Sequence, residues 1–167
     1  MRADGTRVRD LTAIMQALPY IMPKRYDAQN WAEENLDEDA IRAYIRKKRR
    51  AGRSVTHMSL LVSAYYRAVL RNPKINYFVM NSKIYFHHCY EFGTTSVFIC
   101  MGRPVHDPAA PEGVRKKVMP LSVVMDERIA TGIEYSRFFA ELFRNLKRPE
   151  VLEEAFSSAL SGTAVGK

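Results

Sequence analysis

The chain has 167 residues, 47% of them hydrophobic and 26% charged, enough for one compact domain with its own core and a squeeze for two. No run approaches the ~20 apolar residues of a membrane span, and the start MRADGTRVRD lacks the apolar stretch of a secretory signal, so a cytoplasmic location is expected. The formal charge of +8 suits a polyanionic partner such as nucleic acid, or phosphate groups on a small ligand, and equally serves solubility alone.

Asp10 to Leu18 carries apolar residues at Leu11, Ile14, Met15 and Leu18, the spacing of a short helix that Pro19 is expected to close. Tyr26 to Asn35 is polar with one tryptophan, Trp31, and reads as an edge strand of a sheet with one wet face. A helix over Asp37 to Arg50 keeps Ile41, Tyr44 and Ile45 on one side, with acid at its start, the basic run Arg46 to Arg50 at its end, and Ala51-Gly52 as its stop. That order is what the helix dipole favours, so the basic run with Arg53 reads as a solvated helix end ahead of a nucleic-acid surface. A second, mostly buried helix is expected from Thr56 to Leu70 on Met58, Leu61, Val62, Tyr65 and Val69, stopped by Asn72-Pro73.

Ile75 to Met80 and Lys83 to Phe86 flank Asn81-Ser82 as a hairpin does. Thr94 to Met101 reads as a strand, Arg103 to Gly113 with three prolines as a loop, and Val114 to Met125 as the returning strand. Tyr135 to Leu146 places Phe138, Phe139, Leu142 and Leu146 inward on a helix, and Pro149 opens a final helix expected to reach Leu160. The order implies an α+β fold with a mixed β-sheet and flanking helices, forming one domain over residues 1–162 with a tail over 163–167.

The stretch from Lys117 to Asn145, KVMPLSVVMDERIATGIEYSRFFAELFRN, runs from an apolar strand through an acidic turn and a glycine into an amphipathic helix. It resembles the motif region of CoA-dependent acyltransferases, the superfamily of chloramphenicol acetyltransferases and the catalytic domains of 2-oxoacid dehydrogenase dihydrolipoamide acyltransferases. Met119, Pro120, Leu121, Asp126, Arg128 and Gly132 match at the spacing of the Asp-His-Arg-x-x-Asp-Gly version. Glu127 stands where the family has its catalytic His and Thr131 where it has Asp. Asn72, Pro73 and Asn76 match a turn in the family's first half, and YIMPKR with Asp27-Ala28 and HHCYEFGTTSVFICMG resemble a bacterial branch in which Glu for His is usual. Family members carry a long middle that this chain lacks between Phe86 and His87, including a group that stabilises the tetrahedral intermediate.

The resemblance implies a chloramphenicol acetyltransferase-like fold, a homotrimer with its channel between subunits, no bound cofactor, and coenzyme A or acyl-CoA as a substrate. In the family the His takes a proton from a thiol or hydroxyl acceptor, which attacks the acyl thioester. A carboxylate at position 127 is about four pKa units too acidic for a thiol. Strand alternation puts Glu127 at the end of the apolar row Met119, Leu121, Val123, Met125, with Ser122 and Asp126 on the other face, so the carboxylate is expected to pair with Arg128 or Arg137. Thr131 in place of Asp removes one ionic support of the turn, and Gly132 is expected to permit its sharp entry into the helix.

His87, His88, Cys89 and His106 bear imidazole and thiol groups, but adjacent strand residues face opposite ways, so ordinary strand-end histidines are expected and no metal site. Cys89 and Cys100 are expected to stay reduced, and Thr94, Thr95 and Ser96 could line a polar pocket or simply belong to a strand. Three functions remain open on these residues: an acyltransferase-like protein with weakened or altered transfer, a non-catalytic oligomeric scaffold on the same fold, and, behind both, a basic nucleic-acid-binding module. No phosphate-binding glycine loop or dinucleotide fingerprint is present.

Overall fold

A computed structural model describes residues 5–87 and 96–154. It contains strands β1 (Gly5–Arg7), β2 (Gln29–Asp37), β3 (Tyr77–Met80), β4 (Lys83–His87), β5 (Val97–Met101), β6 (Val105–His106) and β7 (Lys117–Asp126). The helices are α1 (Ala13–Ile21), α2 (Glu38–Arg50), α3 (His57–Arg71) and α4 (Gly132–Lys147), with 3-10 turns at Arg25–Ala28, Pro73–Asn76 and Pro149–Glu153. The mixed sheet expected of this α+β chain resolves, among the described residues, into two antiparallel sheets, ordered β1-β4-β3 and β2-β7-β5, with β6 added beside the start of β7.

β7 is the axis of the larger sheet. Its alternation works as expected: Met119, Leu121, Val123 and Met125 are buried against α2, α3 and α4, where Ile41, Ile45, Leu61, Ala64, Phe138 and Leu142 meet them in one core. On the opposite side Trp31, Val124 and Phe98 stand in one row, since both Trp31 and Phe98 pair with Val124. Trp31 and Phe98 are 69% and 60% exposed there. A proline inside a central strand would normally cost a ladder bond. Pro120 is accommodated because β5 has just ended at Met101, and the chain instead returns through Gly102 N–H to the Pro120 carbonyl at 2.8 Å. That approach is so close that a Cβ on Gly102 would lie 2.8 Å from the proline ring.

The helices start where side chains supply caps. Asp37 accepts from Ala40 N–H at 3.1 Å to open α2, and Thr56 with Ser59 closes a reciprocal capping box on α3. α2 ends in Lys47, Lys48, Arg49 and Arg50 and is followed by Gly52 at φ +75°, as the dipole and the left-handed turn require. Glu38 does more than complement the dipole. It is fully buried and takes Arg42 at 2.8 Å and His57 at 3.1 Å. The Asn81-Ser82 hairpin forms as read, both residues left-handed at φ 49° and 55°.

Several boundaries depart from the sequence reading. α1 runs through Pro19 to Ile21, because a proline near the end of a helix forfeits a single bond and its ring is buried here. Tyr26 and Asp27 belong to a 3-10 turn, and the strand that follows extends to Asp37. In α3, Met58 and Val62 are exposed while Leu60, Ala64 and Ala68 are buried, so the inward stripe is rotated by about one residue. Ile75 lies in a 3-10 turn, and the proline-rich loop contains β6. After α4 the expected helix is a 3-10 turn over Pro149–Glu153, and its continuation with the 163–167 tail lies outside the described residues. The junction Phe86-His87, where the resemblance places the missing middle, lies within β4. No helix among the described residues is long and apolar enough to cross a membrane.

Gly102→Ala is expected to destabilise the fold by about 1–3 kcal/mol, because a rigid ring and a backbone carbonyl must yield. Urea unfolding of the variant beside the parent measures it.

Candidate functional site

The site is built at the carboxyl end of β7, where the strand meets the turn 127–131. The ladder with β2 carries one bond past its last pair, Glu127 N–H to the Ala28 carbonyl at 2.9 Å, and the backbone then turns. That turn takes Glu127 out of the apolar row. The expected environments are therefore exchanged: Asp126, expected with Ser122 on the face opposite the apolar row, is the buried carboxylate, and Glu127, expected to end that row, is half-buried at the rim.

The expected Glu127 ion pair does not form. Arg128 turns back instead on Asp126, with Nε to Oδ1 at 2.9 Å and Nη2 to Oδ2 at 2.6 Å, while its own backbone N–H reaches Oδ1 at 3.1 Å. A guanidinium fork matched to a carboxylate in this way, both almost wholly buried, is the strong form of ion pair. Arg128 Nη1 also donates to the Pro23 carbonyl at 3.3 Å, tying the segment before β2 to the turn. Arg137 is exposed on α4.

Around that pair the backbone is fully engaged. Asp126 N–H donates to the Ser96 carbonyl at 2.9 Å, and the Asp126 carbonyl accepts from Tyr135 O–H at 2.7 Å. Burial, reinforced by the Asp126 charge, pushes the Tyr135 phenol well above its ordinary value, so it stays protonated as a donor. Ser96 is itself buried and donates its hydroxyl to the Ile75 carbonyl. These partners were invisible in the motif, although a tyrosine four positions after the cap and facing a core is a residue that must find an acceptor.

Glu127 is the free carboxylate of the group. Oε1 accepts from Asn30 Nδ2 at 3.1 Å, and among the described residues Glu127 forms no ion pair. Thr131 is the N-cap of α4: its hydroxyl accepts from Glu134 N–H at 3.4 Å, and Glu134 returns a carboxylate oxygen to Thr131 N–H at 2.8 Å. Burial alone would raise the Glu134 carboxyl, but the hydrogen bonds from Lys74 and Thr131 outweigh it and hold the group below its ordinary value. The ionic support that Asp would supply is thus replaced by a cap. Gly132, expected to permit a sharp entry, has no left-handed φ, and a Cβ there would meet nothing within 4 Å.

The remaining candidates are dispersed. His106 pairs with Lys117 at the opposite end of β7, about 30 Å along the strand from Glu127. His87 ends β4, and His88, Cys89, Thr94 and Thr95 lie outside the described residues. Cys100 is an exposed free thiol, and no group of three or more potential ligands among the described residues could hold a metal ion.

Removing one partner of the buried pair leaves a lone charge, so Arg128→Met is expected to cost about 3–5 kcal/mol in urea unfolding, while Glu127→Gln costs well under 1 kcal/mol. Thr131→Ala is expected to cost about 1 kcal/mol, and Thr131→Asp, another good cap, to leave the midpoint nearly unchanged.

The sequence matches no family model and no curated protein. Solved structures do match. A probable dihydrolipoamide acetyltransferase from Listeria monocytogenes aligns with a TM-score of 0.56 and 13% identity over 86% of this chain and 95% of its own. The cubic core of the pyruvate dehydrogenase multienzyme complex gives 0.56 and 11% over 89% and 94%. A chloramphenicol acetyltransferase gives 0.58 and 11% over 88% and 100%. At these identities the likeness is one of fold: the chain has the chloramphenicol acetyltransferase-like α+β architecture that these structures share.

Proposed function

We propose that this protein binds an acyl-CoA or related pantetheine thioester at the Glu127 end of β7 and transfers the acyl group slowly, with Glu127 as the proton acceptor in place of a histidine. The observation that carries this reading is the state of Glu127: a half-exposed carboxylate steadied by Asn30, while the neighbouring arginine is consumed by Asp126. Glu127 would take the proton of a thiol acceptor, the resulting thiolate would attack the thioester carbonyl, and the CoA thiolate would leave and recover the proton. A carboxylate is an intrinsically weaker base than an imidazole, so transfer is slow. A homotrimer belongs to this proposal. It is supported by the apolar row Trp31, Val124 and Phe98 beside the site, and by a structural neighbour that forms the core of a multienzyme complex.

A second reading keeps the fold as a non-catalytic oligomeric scaffold. It is favoured by Thr131, whose role here is to cap a helix.

The test is thermal unfolding with CoA and acetyl-CoA, a size determination, and release of CoA from acetyl-CoA with a dithiol acceptor. At a hundredfold excess over Kd the expected rise in midpoint is roughly 5–10 °C. Glu127→Ala should abolish CoA release, and Glu127→His, which restores a base near neutrality, should raise it at least tenfold. An intact oligomer with no shift from either ligand and no release in any variant selects the scaffold.

A further inference from the structure

The smaller sheet carries a second feature, remote in sequence from the β7 turn. Where α1 crosses β4, a cleft of about 470 Å³ opens, and none of its lining belongs to residues 126–131. Its apolar side is formed by Met15 and Pro19 of α1, both buried, so the surface is fixed by the fold. Its polar side is formed by Arg7, Arg9 and Lys83, and no acidic residue among the described residues lines it.

The ladder brings those three cations together. Arg7 faces Tyr85 across β1 and β4, and Val8 N–H continues the pairing to the Ile84 carbonyl at 3.0 Å, which carries Arg9 to the level of Lys83. Arg7 lies diagonal to Lys83 on the same ladder. Like charges set opposite one another on adjacent strands are destabilising. Among the described residues none of the three forms an ion pair, whereas Lys48, Lys74, Arg128 and Lys147 do. Uncompensated like charge at one concave site is what an anionic ligand would offset.

We infer that this cleft binds a small phosphomonoester with a short apolar body. Three cations suit the charge of about −1.5 to −2 that a phosphomonoester carries near neutrality better than the single charge of a carboxylate. The apolar wall of Met15 and Pro19 accounts for the body, and inorganic phosphate would leave it unused. The cations are exposed, so the interaction weakens as salt is raised.

The experiment is calorimetric titration of the full chain with hexyl phosphate, hexanoate, hexanol and inorganic phosphate. It is repeated on an Arg9→Gln/Lys83→Gln double variant and on Arg115→Gln, which removes an exposed arginine that does not line the cleft, with circular dichroism to check each fold. The expected result is saturable 1:1 binding of hexyl phosphate, at least tenfold tighter than the other three probes, weakened tenfold or more in the double variant and unchanged in Arg115→Gln. No saturable binding of hexyl phosphate overturns the inference. So does hexanoate or inorganic phosphate binding as tightly, or a folded double variant that retains full affinity.

Discussion

The buried pair of Asp126 and Arg128 organises far more than its two residues. Its carboxylate terminates the central strand of the larger sheet, and its guanidinium reaches back to Pro23, so the segment before β2 is held against the turn that follows β7. The backbone of Asp126 meanwhile joins Ser96 on one side and Tyr135 on the other, linking β5 and α4 to the same point. A buried ion pair contributes little net stability over an apolar substitute, but a half-broken one is severely penalised. The arrangement therefore works chiefly as a constraint on geometry, and Glu127 inherits its position from it.

Much of this architecture could be read from residue spacing. The strands around Asn81-Ser82, the alternation of Met119 to Met125, and the caps at Asp37 and Thr56 are local, and local chemistry decided them. What the spacing could not carry was the point where alternation stops. One backbone turn after Asp126 exchanges the environments of two adjacent carboxylates, and with them the identity of the residue that takes Arg128. The inward stripe of α3 misled for a related reason. Met58 and Val62 repeat at helical spacing, yet small alanines at Ala64 and Ala68 let α4 approach, and tight packing outweighs side-chain size.

The relation between fold and chemistry is correspondingly uneven. Asp126 and Arg128 organise the turn as a buried pair, and Thr131 caps α4 as an aspartate could also do. The Glu127 carboxylate, between the paired residues in sequence, takes no part in that pairing and is held by Asn30 at the rim. Support of the turn and exposure of a carboxylate thus rest on different residues of the same short segment.

The open side of the larger sheet has an optical consequence. Trp31 is the single tryptophan of the chain, and it stands on the solvent side of an edge strand. Its emission is thus blind to the packing of the core and reports instead on what lies against the outer surface of the sheet. In this protein tryptophan emission is a poor gauge of unfolding, which has to be followed by other light.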